Sequence, residues 1–317
     1  MINACMPPLS PEIIARAEKL SCSLLLDGAK ALGLSLPGGG CLPQGIRCVN
    51  PLHKMAGTAL TVRTQPGDNR PIHLAIYGAK LPGYALVIDG HAYEKCAYMG
   101  ELMLGACRAL GFAGVVINGY IRDMDGVAAL DFPVYARGFL PPAPTKEKDG
   151  DINAPVVIGG VQICPGDLVM GDCDGVCVIP WEHVCAVLDA AEKRRDYEAA
   201  RQAVIDSYNA AKEERTPLPD LTPAWAKEVL KAARCRRNKQ KYSSSPAAGR
   251  GCEHLHVKYC ACAENREILV SCLNIVRSSF EALAFRKKYV ILCSNEVNHI
   301  LDEYEGGYSH EQLRSEF

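Results

Sequence analysis

Between Gly57 and Ala136 short apolar runs alternate with segments of helical spacing, and this rhythm limits what the chain can fold into more than any other feature. A strand over Thr58 to Arg63 is followed by the turn Gly67-Asp68-Asn69, a helix from Pro71 to Ala79 and a strand from Ala85 to Ile88 that ends in Asp89-Gly90. A helix from Tyr98 to Leu110, a strand Gly114 to Asn118, a helix Asp125 to Leu130 and a strand Val134 to Ala136 continue the series. Such βαβ repetition predicts an α/β fold. The later strands, Pro155 to Ile158, Leu168 to Met170 and Gly175 to Ile179, are short and separated by turns such as Pro165-Gly166-Asp167. They suggest a sheet folded back on itself rather than a simple doubly wound one.

The flanks are helical. Ser10-Pro11-Glu12 reads as an N-cap, a first-turn proline and an early acid, opening a helix toward Lys19 and on to Leu32. Pro37-Gly38-Gly39-Gly40 is read as a turn, because it neither follows a clear strand nor opens a helix as a phosphate cradle would. Pro180-Trp181-Glu182 starts a long charged helix that runs beyond Asp206, and Pro223 to Ala233 is a second, short one. Residues 1–234 are taken as the main domain, 235–251 as a Ser/Gly/Ala linker and 252–317 as a small extension, with helical spacing over Ile268 to Leu283 and Tyr289 to Tyr304. Cys252, His254, His256, Cys260 and Cys262 are soft ligands for zinc by type, but their spacing is not that of a finger or ribbon.

Composition narrows the function classes. With 35 Lys and Arg against 36 Asp and Glu the formal charge is -1, which offers no global field for nucleic acid or an anionic membrane. No apolar run reaches the length of a membrane span, and Leu20 to Leu34 is interrupted by Asp27 and Lys30 as a signal peptide would not be. The 16 cysteines lie mostly in apolar patterns such as Val176-Cys177-Val178 and His183-Val184-Cys185, so a cytoplasmic protein with reduced thiols is expected.

Chemistry is expected at two chain breaks. Gly100-Glu101-Leu102-Met103 is a loop-to-helix junction whose free N–H groups can receive an oxyanion. After about 20 residues, an αβ step by length, comes Asn118-Gly119-Tyr120-Ile121-Arg122-Asp123. Arg122 adds a rigid fork of donors for the same anion, and Asp123 is a natural ligand for a hard divalent cation. Together they would bind a small 2-oxo acid. The bland alternative is an exposed Arg/Asp pair in a turn. Other polar residues have structural readings: His53, His73 and His91 as surface or hydrogen-bonded loop residues, Asp172 and Asp174 as shapers of a turn, and Asp89 as a group behind the site.

These residues carry a resemblance. The acid, the spacing to Arg-Asp, and the stretches Gly111-Phe112-Ala113-Gly114-Val115-Val116-Ile117-Asn118-Gly119, Phe132-Pro133-Val134-Tyr135-Ala136-Arg137-Gly138 and Gly171-Asp172-Cys173-Asp174-Gly175-Val176 resemble the family of the regulator of ribonuclease activity A and the 4-hydroxy-4-methyl-2-oxoglutarate aldolases. The likeness runs from about residue 20 to 200. It implies an αββα sandwich of the swivelling, phosphohistidine-domain-like type with a C-terminal helical extension, assembled as a homotrimer or homohexamer. It further implies a divalent-metal-dependent aldolase that cleaves a 4-hydroxy-2-oxo acid to pyruvate and a second oxo acid and also decarboxylates oxaloacetate. Carried over, Gly100, Glu101, Leu102, Met103 and Arg122 bind the pyruvate part, Asp123 anchors Mg²⁺ or Mn²⁺, Glu101 handles water, and Lys146, with Lys148 as second candidate, contacts substrate. Some relatives are instead regulators that bind a ribonuclease or helicase without chemistry; those tend to lack the aspartate that Asp123 supplies here. A methyltransferase reading is discounted, since no glycine-rich nucleoside loop follows a first strand.

Overall fold

In the computed structural model, residues 1–49, 54–79 and 81–243 are described, the last ten by backbone alone. The extension 252–317, its five soft ligands and His53 lie outside the described residues. The chain divides into two units, Met1–Leu221 and Thr222–Phe317. In the second, α7 (Ala224–Ser243) runs ten residues beyond Ala233, where the expected helix stopped.

The first unit opens with two helices where one was expected. α1 (Pro11–Glu18) is capped by the Ser10 hydroxyl, which accepts from Ile13 N. The chain then turns at Lys19 and Leu20 and restarts as α2 (Cys22–Ala31), because Ser21 caps a new N-terminus by accepting from Leu24 N. Pro37–Gly40 forms a single tight turn with Gly38 and Gly39 at φ of 59° and 75°, as its glycines allow.

The main sheet begins with β1 (Arg47–Cys48) and β2 (Met55–Arg63). α3 (Arg70–Gly78) leads to β3 (Tyr84–Asp89), and β4 (Ala97–Met99) precedes α4 (Glu101–Ala109). β5 (Gly114–Asn118) and β6 (Tyr120–Ile121) are followed by α5 (Met124–Ala129), β7 (Val134–Ala136) and β8 (Gly138–Phe139). Then come β9 (Asp151–Ile152), β10 (Val156–Ile158), β11 (Val161–Ile163), β12 (Leu168–Asp172), β13 (Gly175–Ile179) and the long α6 (Val184–Glu214).

The strand order is β1-β7-β5-β3-β2-β12-β13, with β9 on the far end of β2. The βαβ core β2, β3, β5 and β7 is parallel, and β1, β12 and β13 are antiparallel additions. The edges approach one another: Cys41 bridges Cys177 on β13, and six residues later β1 pairs with β7. The sheet is therefore mostly closed, in line with the folded-back sheet expected from the short late strands.

Alternation along the strands decides what each face buries. Leu60, Val62, Leu86, Ile88, Val115 and Ile117 face α3, α4 and α5 in one core. Ala59, Ala85, Val87, Val116 and Tyr135 point the other way, onto the β10-β11 ribbon. A third core joins α1, α2 and α6 to β12 and β13. Cys22, Cys107 and Cys177 are buried thiols within these cores and Cys96 is buried outside them, as apolar patterning suggested, whereas Cys185 is exposed on α6.

Candidate active site

The two chain breaks meet because β4 and β6 pair in parallel, Ala97 opposite Tyr120 and Met99 opposite Ile121. With β8 they form a small separate sheet. Arg122 N donates to Met99 O at 2.9 Å, so Gly100 and Asp123 leave the same end of that sheet side by side. The expectation of a helix from Tyr98 missed this: Ala97–Met99 is a strand, and α4 starts only at Glu101. Nothing in the apolar triplet Ala97-Tyr98-Met99 separates a helix start from a short strand.

Asp123 takes the left-handed conformation, φ 64° and ψ 50°, which aspartate tolerates better than most residues. This backbone turn sends its carboxylate back over the start of α4. Glu101 N donates to Asp123 Oδ2 at 3.2 Å, and Arg122 Nε lies 3.6 Å from the same oxygen. Gly100 must lack a side chain here, since a Cβ would overlap the Asp123 carboxylate. Gly126 on α5 has the same relation to the Glu101 carboxylate. The first N–H of α4 is thus engaged by Asp123, and those of Leu102 and Met103 are the donors left unpaired at this helix end among the described residues.

A cavity of about 270 Å³ opens beside this junction and is lined by Gly100, Leu102, Met103, Arg122, Asp123 and Lys146, together with Asn69 at the N-cap of α3 and His73 and Tyr77 along that helix. Of the two candidate lysines, Lys146 reaches it and Lys148 does not. The Glu101 side chain is exposed and lies over Gly126, and Glu101 is not among the residues lining the cavity.

His73 lies on α3, as the helix expected over Pro71 to Ala79 implies, but it forms part of the cavity wall, which its reading as a surface or hydrogen-bonded loop residue did not foresee. Burial, then the positive charge of Lys146, moves its pKa below 6.5. Its Nε2 and Asn69 Oδ1 are buried without hydrogen-bond partners among the described residues. The signal available in the sequence was its place one turn after Asn69, facing the same way.

The remaining candidates behave as structural groups. His91 Nε2 lies 2.9 Å from Thr64 O in a loop. Asp172 and Asp174 dock α2 by accepting from Cys22 N at 2.7 Å and from the Ser23 hydroxyl at 3.1 Å. Asp89 is buried, accepting from Asn118 Nδ2 and His91 N, and lies outside the cavity lining.

Comparison with known proteins fits this arrangement. A model of the RraA-like family, Aldolase/RraA, matches residues 31–178. A protein of Halalkalibacterium halodurans that carries the provisional name 4-hydroxy-4-methyl-2-oxoglutarate aldolase is 41% identical over 170 residues, 53% of this chain and 80% of that protein. The chain belongs to the Aldolase/RraA family. Among solved structures, an uncharacterized protein from Pseudomonas syringae pv. tomato is 28% identical with a TM-score of 0.56, covering 64% of this chain and 96% of that one. Streptomyces coelicolor RraAS2, described as an unusual member of the RNase ES inhibitor RraA family, shares the fold at 23% identity and a TM-score of 0.54, covering 61% and 98%.

The acidic donors near Arg122 can be tested for a cation. No group of three or more His, Cys, Asp or Glu side chains gathers for a metal among the described residues. Asp123 offers one half-exposed carboxylate, and Glu101 is an exposed acid at the start of α4 whose carboxylate lies over Gly126. Such a set fits Mg²⁺ or Mn²⁺ that keeps most of its water, and does not fit a fully protein-caged ion.

Proposed function

We propose that this protein is a pyruvate-releasing aldolase that cleaves a 4-hydroxy-2-oxo acid, with 4-hydroxy-4-methyl-2-oxoglutarate as the substrate suggested by its relative's name. The observation that carries this reading is the convergence of Arg122, Asp123, the unpaired α4 amides and Lys146 on one small cavity. Family membership supports the lyase class.

In this reading Arg122 and the N–H groups of Leu102 and Met103 hold the carboxylate and 2-oxo oxygen of the substrate. Asp123 holds Mg²⁺ or Mn²⁺, which when bound supplies the charge that polarises the 2-oxo group. Water held near Glu101 takes the proton of the C4 hydroxyl as the C3–C4 bond breaks. The bonding pair passes to the pyruvate enolate, whose oxygen Arg122 stabilises; one preorganised donor of this kind contributes roughly 3 to 4 kcal/mol. Loss of CO₂ from oxaloacetate gives the same enolate, so that reaction is expected too. The domain is then of the swivelling αββα type and works as a homotrimer or homohexamer in the cytoplasm.

Pyruvate release from both acids, measured with Mg²⁺ or Mn²⁺ and again with EDTA, tests the reading. Release that depends on the cation and falls at least a hundredfold in Asp123→Ala is expected. No release from either acid with metal present would leave the non-catalytic regulator as the better description, and release unchanged in Asp123→Ala would overturn the metal-holding role given to Asp123.

A further inference from the structure

We propose that Asp68 is a positioning residue: its buried carboxylate folds the segment after Pro144 so that Lys146 stands in the cavity wall. Residues 140–150 belong to no helix or strand; Leu140 N and Pro142 O bond to Ile121 and Ala97, and further along Thr145 makes an isolated bridge to Asp68. Beyond that bridge the Asp68 side chain holds the segment. It is fully buried, and its Oδ2 accepts from the Thr145 hydroxyl at 2.6 Å, Glu147 N at 2.7 Å and Lys148 N at 3.1 Å. Its Oδ1 accepts from Arg70 N at 2.9 Å. Two backbone bonds close the arrangement, Thr145 N to Gly67 O at 2.8 Å and Asn69 N to Thr145 O at 3.0 Å.

Every residue from Thr145 to Lys148 is thus bonded to Asp68 except Lys146, whose side chain is left to line the cavity. The neighbouring Asn69 extends the bracing to the opposite wall. Its Nδ2 donates to Tyr98 O at 2.8 Å and lies 3.5 Å from Met103 Sδ, beside the unpaired amides of α4. One turn before α3 therefore sets the spacing between the lysine and the oxyanion donors. A carboxylate is required because three donors converge on one oxygen and a fourth meets the other. An amide of the same shape must turn an NH₂ toward one of these groups and leave a buried donor facing a donor.

The functional side of this inference rests on the aldolase reading, and its structural side does not. Trypsin cuts after lysine, so the rate of cleavage after Lys146 and Lys148 in the full-length protein reports on the fold of the segment independently of activity. Asp68→Asn is expected to raise that rate at least tenfold. It is also expected to raise KM for the 4-hydroxy-2-oxo acid about tenfold, with kcat changed much less. In the Lys146→Met background Asp68→Asn should add little further loss, because the lysine it positions is gone. If Asp68→Asn does not fold, as read by circular dichroism, Thr145→Val removes one donor to Oδ2 and should give the same changes at smaller size. Unchanged cleavage in the folded variant, or losses from Asp68→Asn and Lys146→Met that simply add, would overturn the proposal. If the wild-type protein releases no pyruvate, the aldolase reading falls and the cleavage rates alone decide whether Asp68 folds the segment.

Discussion

Gly100 and Asp123 are matched to each other, and neither is explained alone. The left-handed turn at Asp123 brings its carboxylate to Glu101 N, and the missing side chain at Gly100 makes room for it. Gly100→Ala would put a methyl group where the carboxylate lies. The fold should survive, since Gly100 has an extended backbone that alanine adopts without strain. The Asp123 to Glu101 hydrogen bond should not. At this half-exposed carboxylate the lost bond should lower Tm only slightly, whereas displacing the carboxylate from the site should lower kcat/KM roughly 10- to 100-fold, about 1.4 to 2.7 kcal/mol of transition-state stabilisation. Pyruvate assays paired with thermal melts of this variant check both halves of the statement.

At the scale of elements, helix contact is set by glycine as much as by apolar side chains. α2 lies against α6, and a Cβ on Gly28 would stand 2.9 Å from both Ala191 N and Val187 O, which are backbone atoms that cannot rotate away. Arg16 on α1 adds a two-pronged link to Glu192 and Asp189 on the same helix, at 2.8 and 2.5 Å. Gly28→Leu should separate the two helices and lower stability by about 1 to 3 kcal/mol, while Arg16→Ala, at a part-exposed site, should cost less. Chemical denaturation midpoints measure this ranking, and equal effects from the two changes would contradict it. The site is remote from this contact, so pyruvate release by the folded fraction of Gly28→Leu should be unchanged.

Across the whole molecule, two buried carboxylates pull the pH dependence of stability in opposite directions. For Asp167, burial is the larger influence and lifts the pKa to about 6 against the hydrogen bonds from Cys164 N and Trp181 N. The folded state then binds more protons than the unfolded one between about pH 4 and 6, so stability rises as pH falls through that range. For Asp68, burial is outweighed by the bonds from Glu147, Thr145, Arg70 and Lys148, and its pKa lies at about 2. Its contribution is complete above its ordinary pKa and is lost as pH falls from about 4 to 2. The combined contribution of these two groups is therefore greatest near pH 4. Asp167→Asn should flatten the upper limb and Asp68→Asn the lower one in melts taken across that range.

The sequence by itself determined the elements whose residues carry their own instructions. β5, β7 and β13 match the strands expected from apolar runs between glycine and proline, and the Ser10 cap and the βαβ rhythm were legible because local chemistry fixes them. That Gly100-Glu101 and Arg122-Asp123 act together was an expectation from the length of an αβ step and from the family resemblance. Contacts distant along the chain were not legible. β4 was hidden, since a three-residue strand exists only through its partner β6, and that pairing is what brings the two chain breaks together. The place of His73 in the cavity wall, the choice of Lys146 over Lys148 and the bracing by Asp68 also depend on groups far apart in sequence. A residue type shows what chemistry is available; only the tertiary structure, by spending backbone donors and buried volume on particular neighbours, decides where that chemistry is put.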